Sequence, residues 1–256
     1  MDLSMPKFHD LLIGTHLINE TVEYMGPDDE NLYSQNLNTQ PQDWYYRNNK
    51  VIYSHNEFGH RCNSLNSLNF NNYFLFSGCS HTYGVGVELE KTYAYLLSNA
   101  CNTYYYNLSF GGAGPDFAFY NLLIWLDKFP KPKHIFVQIP YSTRFMTQRN
   151  TDGSYNSDVT FESHWSNQPE VKKFAVIGKE INYWSCKMFL YFNLFKQRCL
   201  KYNIPYTIIN FIDPVDLLEI PEKMYEVKRV DLARDLGHFG NQTNINIAKD
   251  LQQLIS

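Results

Sequence analysis

No apolar run in this 256-residue chain approaches the length of a membrane span; stretches such as Leu122–Leu126 fall far short of the roughly 20 residues that a spanning helix needs. Met1–Glu20 has no basic stretch followed by an apolar core, so no secretory leader is expected. Lys and Arg form no block and the formal net charge is −4, which argues against a binder of the nucleic-acid backbone. No Cys-x-x-Cys and no Cys/His pair at metal spacing occurs. The five cysteines, Cys62, Cys79, Cys101, Cys186 and Cys199, are odd in number. Free thiols in a reducing, cytoplasmic setting are expected, with Cys186 and Cys199 in the core. Internal repeats and low-complexity tracts are also missing.

The chain does have a globular balance, 44% hydrophobic and 19% charged residues, and enough length for one large domain. Aromatic residues make up 16%, with 20 Tyr and 18 Phe, and Asn is abundant. Such surfaces suit sugars and other polar ligands, although a biased genome composition is the simpler account of them.

Residues 1–70 read as an irregular N-terminal extension that wraps onto a main domain, 71–256. Met25–Gln42 reads as loop and Val51–Ser54 as a short strand. Then the order becomes regular. Tyr73–Phe76 is a buried strand stopped by Ser77-Gly78, and Lys91–Ala100 is a helix. Thr103–Leu108 is a second strand. Gly111-Gly112-Ala113-Gly114 is a turn, and Pro115 opens a helix to about Lys128. His134–Ile139 is a third strand. Periodicity fades from Tyr141 to Glu180, and Asn150–Glu170 reads as a polar loop, an insertion or a lid. Ile181–Tyr202 is a helix with Trp184, Met188, Phe192, Phe195 and Cys199 on one stripe. Tyr206–Phe211 is a fourth strand and Thr243–Ile255 a closing helix. This alternation predicts an α/β three-layer sandwich around a central parallel sheet, with ligands beyond the carboxyl ends of the strands.

The loops at those ends hold the candidate chemistry. Ser80 follows strand one in Ser77-Gly78-Cys79-Ser80-His81-Thr82-Tyr83-Gly84. The loop Asn107–Gly114 offers backbone N–H groups without side-chain hindrance. In Asp235-Leu236-Gly237-His238 the spacing lets a carboxylate fix the imidazole of the same turn. A hydroxyl, N–H donors and an oriented base are what acyl transfer requires.

These segments resemble the SGNH, or GDSL-type, hydrolase family over about residues 50–255. Gly78-Cys79-Ser80 is similar to its Gly-Asp-Ser block, Asn107–Gly112 to its second block and Asp235-x-x-His238 to its Asp-x-x-His block. The run Gly78–Gly84 also looks like a variant common in phage-encoded members, and Tyr53–Arg61 like a lead-in that some members carry. The resemblance implies a flavodoxin-like sheet and a serine esterase acting on short acyl esters, O-acetyl groups on carbohydrate among them. It makes Ser80 the nucleophile, His238 the base and Asp235 its partner, with the N–H groups of Ser80 and Gly112 binding the oxyanion. It implies a small-molecule or carbohydrate ester as partner, no nucleic acid or membrane, and no metal or organic cofactor. The chain departs from the family in two places. Cys79 replaces the Asp beside the nucleophile. The third-block Gly-x-Asn-Asp is absent, and the matching stretch Gln138-Ile139-Pro140-Tyr141-Ser142-Thr143-Arg144 offers Ser142 or Arg144 as a substitute substrate contact. The alternatives are an inactive binding or structural protein on the same fold, such as a virion or glycan-binding component, and an O-acyltransferase. Asp231 is an alternative partner for His238, Cys79 an alternative nucleophile, and His81 a packing or loop-surface residue.

Overall fold

The computed structural model describes residues 17–148, 159–162, 169–211 and 224–256. Three elements fall in the N-terminal region besides short turns. Strands β1 (Thr21–Val22) and β2 (Tyr53–Ser54) pair antiparallel, and helix α1 spans Glu30–Thr39. The expectation of loop through Met25–Gln42 is therefore corrected. The helix is easy to miss because only Asn36 is buried on it. Its N-terminus is set by a polar cap, the Leu32 N–H donating to Asp29 Oδ1 at 2.8 Å, rather than by an apolar stripe.

The main sheet is built from β3 (Tyr73–Ser77), β4 (Tyr104–Asn107), β5 (His134–Gln138), β8 (Tyr206–Asn210) and β9 (Met224–Glu226). All neighbours are parallel and the spatial order is β4-β3-β5-β8-β9. Counted along the chain within the sheet, that is the flavodoxin-like order 2-1-3-4-5. The expected three-layer α/β class is the one observed. The fifth strand was not expected: β9 has only three residues, none of them buried, so it leaves no apolar run to read.

Alternation along the strands divides the core. Leu75, Ile135, Val137 and Ile208 face α4 (Pro115–Lys128) and α6 (Tyr183–Tyr202), meeting Phe119, Leu122, Trp125, Phe192 and Phe195. Phe74, Phe76, Phe136 and Ile209 face α3 (Tyr93–Ala100) and α7 (Asn241–Ile255), meeting Tyr93, Leu97, Ile247 and Leu251. Strands covered on both sides read as unbroken apolar runs, which is why they were legible. The stripe expected on α6 is buried as read, but Cys186 is exposed. It sits two positions from Trp184, about 200° round a helix, and so faces away from the core.

Between Tyr141 and Glu180 the described residues form two strands, β6 (Phe145–Gln148) and β7 (Val159–Glu162), paired antiparallel, and helix α5 (Pro169–Glu180). Strand β7 and the start of α5 fall inside Asn150–Glu170 and correct its reading as loop. The rest of the expected Asn150–Glu170 loop lies outside the described residues. A one-turn helix, α2 (Ser80–Tyr83), follows β3 directly. Among the described residues no helix is long and apolar enough to cross a membrane.

One buried group makes the fold sensitive to acid. His60 is fully buried, its Nδ1 3.0 Å from the Tyr106 hydroxyl, and burial pushes its pKa down to about 3. In the unfolded chain a histidine titrates near 6.5. Below that pH the unfolded state binds the extra proton, so stability falls as pH falls, by up to about 1.4 kcal/mol per pH unit for this group. Urea unfolding from pH 7 to 5 is expected to show a shallower loss in His60→Gln than in the wild type. Equal slopes would contradict a neutral, buried His60.

Candidate active site

The Ser80 loop is shaped by a side chain on the neighbouring strand. Gln138, buried at the end of β5, places Oε1 where it accepts from the Cys79 N–H at 2.9 Å and the Cys79 thiol at 3.1 Å. Its Nε2 donates to the Ile139 carbonyl. Gly78 is required here, because a Cβ would lie 2.6 Å from Thr82 Oγ1 and 2.8 Å from Gln138 Oε1. Cys79 is thus wholly buried against Gln138, and the Ser80 hydroxyl next to it, not the thiol, faces the His238 imidazole. Ser80 opens α2, so its N–H belongs to the first turn of a helix, where backbone donors have no intrahelical partner.

The second loop is tied to the first. Asn107 donates through Nδ2 to the Thr82 carbonyl at 3.0 Å and accepts the Ser109 N–H at 3.1 Å. Gly112 then takes a left-handed φ of 81°, a conformation that favours glycine.

The third loop brings an imidazole to Ser80. His238 Nε2 lies 2.8 Å from Ser80 Oγ, and its Nδ1 lies 2.5 Å from Asp235 Oδ2. Asp235 Oδ1 accepts the N–H groups of Gly237 and His238, each at 3.1 Å. Burial pushes the Asp235 carboxyl up, but the hydrogen bond and charge of His238, helped by these two N–H groups, outweigh it and hold the pKa below the usual carboxylate value. Asp231 is occupied elsewhere. It caps α7, accepting the Gln242 N–H at 2.8 Å and the Thr243 N–H at 2.7 Å. His81 packs against His238, with ring centroids 4.6 Å apart, and lies 4.1 Å from both Phe211 and Phe239. Burial and the neighbouring charges of His238, Arg144 and Arg229 keep its pKa well below the usual imidazole value.

Ser80 and His238 open into a cavity of about 480 Å³. Gly111, Gly112 and Arg144 line it on one side. Ser142, although buried, is not among its lining residues. The Arg144 guanidinium sits 5.1 Å from the Tyr141 ring centroid. Its carbonyl accepts from Lys187 Nζ at 2.6 Å, which pins the loop after β5 to α6. Lys187 is also 3.7 Å from Asp116, and burial, opposed by that carboxylate, pushes its pKa down to about 8.

The far wall of the cavity was not expected. Met25, Gly26 and Pro27 contribute to it, alongside Tyr83, Val85 and Phe110. The next residue, Asp28, holds that wall to the base loop. It is buried and accepts from Arg234 Nε at 2.9 Å and Nη2 at 2.8 Å, and from the Tyr53 hydroxyl. Arg234 immediately precedes Asp235. Gly86 closes the circuit: its N–H donates to Tyr53 Oη at 2.7 Å and its carbonyl accepts the Arg234 N–H at 3.0 Å. In sequence Asp28 and Arg234 lie 206 positions apart, each beside other charged residues, with no local pattern to join them. Among the described residues no group of three or more His, Cys, Asp or Glu is placed to hold a metal ion.

No protein-family model matches the chain, and no curated protein matches it. Solved structures similar to it include a carbohydrate esterase described as having divergent catalytic and non-catalytic binding functions (12% identity, 72% of this chain, 64% of that one, TM-score 0.46). Others are an acetyl xylan esterase from the rumen bacterium Butyrivibrio proteoclasticus (13%, 72%, 63%, 0.44) and a member of the lipolytic G-D-S-L family from Veillonella parvula (13%, 71%, 97%, 0.34). The chain spans less than two thirds of the length of the two carbohydrate esterases. By its own strand order the chain has a three-layer α/β fold of flavodoxin-like order, with Ser80 after the first sheet strand, Gly112 after the second and His238 before the closing helix.

Proposed function

We propose that the chain is a serine ester hydrolase. The observation that carries this reading is the continuous line Asp235 Oδ2, His238, Ser80 Oγ, with contacts of 2.5 and 2.8 Å at the mouth of a cavity. Asp235 accepts the Nδ1 proton, which leaves Nε2 unprotonated and facing the serine. His238 takes the Ser80 proton as Oγ attacks the ester carbonyl. The N–H groups of Ser80 and Gly112 hold the oxyanion. The tetrahedral intermediate collapses, the alcohol leaves with the proton from His238, and water, deprotonated by the same imidazole, releases the acid. The substrate is an ester with a short acyl group, such as an O-acetylated carbohydrate.

Arg144 is the cavity residue best placed to make up for the missing third-block Asn. Loss of one oxyanion donor costs about 10²–10³ in rate. Arg144→Ala is therefore expected to lower kcat/KM for p-nitrophenyl acetate by that factor, and Ser142→Ala to change it by no more than about twofold. The reverse ranking would remove Arg144 from the site.

A fluorophosphonate probe tests the reading as a whole. The wild type should be labelled, Ser80→Ala should not, and p-nitrophenyl ester turnover should follow the label. A folded wild type that takes no label would sink the esterase. Product analysis with an added sugar acceptor separates hydrolysis from acyl transfer through the same residues.

A further inference from the structure

A second crevice lies at the other end of the sheet. It is bounded by the turn Leu65–Ser67 with the residues before it, the last turn of α3 and the start of β4. The triad sits beyond the carboxyl ends of the strands, whereas this crevice flanks the amino end of β4. Its volume is about 250 Å³. We propose that it binds a neutral carbohydrate, one sugar unit of a longer chain, independently of the Ser80 cavity and of the esterase reading.

The wall chemistry selects the ligand class. Among the described residues none that lines it carries a charge. A phosphate, carboxylate or ammonium ligand would enter without a counter-charge, which is costly wherever water is displaced. What the wall does offer is amide and hydroxyl groups, each able both to donate and to accept: Asn63, Asn99 and Asn102, with Ser98 and Tyr105. That density matches a polyol, whose every hydroxyl also does both. Tyr104, 49% exposed at the start of β4, supplies a ring face for the C–H side of a sugar.

Two further observations point to a ligand. The hydroxyls of Ser98 and Tyr105 are buried in this wall without a hydrogen-bond partner among the described residues, although buried polar groups are nearly always satisfied. The platform is also fixed in advance. Asn102 holds a left-handed φ of 47°, its N–H donates to the Asn99 carbonyl at 3.1 Å, and its carbonyl accepts from Asn72 Nδ2 at 3.1 Å.

The test uses the full chain carrying Ser80→Ala, titrated by saturation-transfer NMR and calorimetry with cellohexaose, xylohexaose, maltohexaose and chitohexaose. At least one should bind. Adding Tyr104→Ala or Asn99→Ala, both at exposed positions, should weaken binding about tenfold or more with the melting temperature unchanged. Adding Arg144→Ala should leave binding intact. Three results would overturn the proposal. The first is no binding by any of the four sugars at millimolar concentration. The second is binding removed by Arg144→Ala but not by Tyr104→Ala, which would place the sugar in the Ser80 cavity. The third is equal binding of glucose 6-phosphate that depends on Tyr104, which would refute the neutral class.

Discussion

Asp235→Asn is expected to lower kcat for ester hydrolysis by about 10⁴ with little change in the melting temperature. The size of the effect comes from which oxygen does what. Oδ1 accepts two backbone N–H groups, from Gly237 and His238, so in the variant the amide oxygen must stay there. The amide nitrogen then takes the Oδ2 position and donates to Nδ1 of His238. That forces the ring proton onto Nε2, which faces Ser80 and can no longer accept its proton. The shape survives and the tautomer is wrong. Steady-state kinetics on p-nitrophenyl esters check this, with fluorophosphonate labelling rates as a second readout. A loss of less than about tenfold would mean that His238 works without its carboxylate, and the mechanism would need another orienting group. Asp231 is not available for that role, being committed to the cap of α7.

The site was legible where its parts are local. Ser80 follows a run of buried apolar residues, and Asp235 and His238 lie within one turn of chain, so proximity in sequence stood for proximity in space. Gly112 was visible because a glycine-rich turn permits only a few backbone paths. The central strands and their helices were legible for the same reason: each is an uninterrupted apolar run or a clear stripe. Three things were not legible. Gln138, which shapes the Ser80 loop by accepting from Cys79, reads as the polar end of a strand. Helix α1 has too little apolar surface to show a period. The cavity wall at Met25–Pro27 comes from the far end of the chain, and nothing nearby in sequence announces that it meets the base loop. Long-range polar contacts leave no periodic trace, so a pattern-based reading passes over them.

The Asp28–Arg234 pair gives that last contact an energy that can be measured. Both side chains are almost wholly buried, 1% and 4% exposed. Removing one member strands the other charge, which typically costs about 3–5 kcal/mol. Asp28→Ala should therefore shift the urea midpoint far down. Asp28→Ala combined with Arg234→Met, which removes both charges, should recover much of the loss. The pair also bears on catalysis, because Arg234 is bonded through its backbone to Gly86 and adjoins Asp235, while a Cβ at Gly86 would lie 3.2 Å from Asp235 Oδ1. Loosening the clamp in the still-folded variant should lower kcat and raise KM together, since the same change frees the base loop and the Met25–Pro27 wall. An unfolding free energy for Asp28→Ala within about 0.5 kcal/mol of wild type would show that the N-terminal segment is a passive cover. The expected large loss, relieved by the double variant, would make residues 25–28 part of the catalytic unit: one buried carboxylate holds the cavity wall and steadies the loop that carries the base.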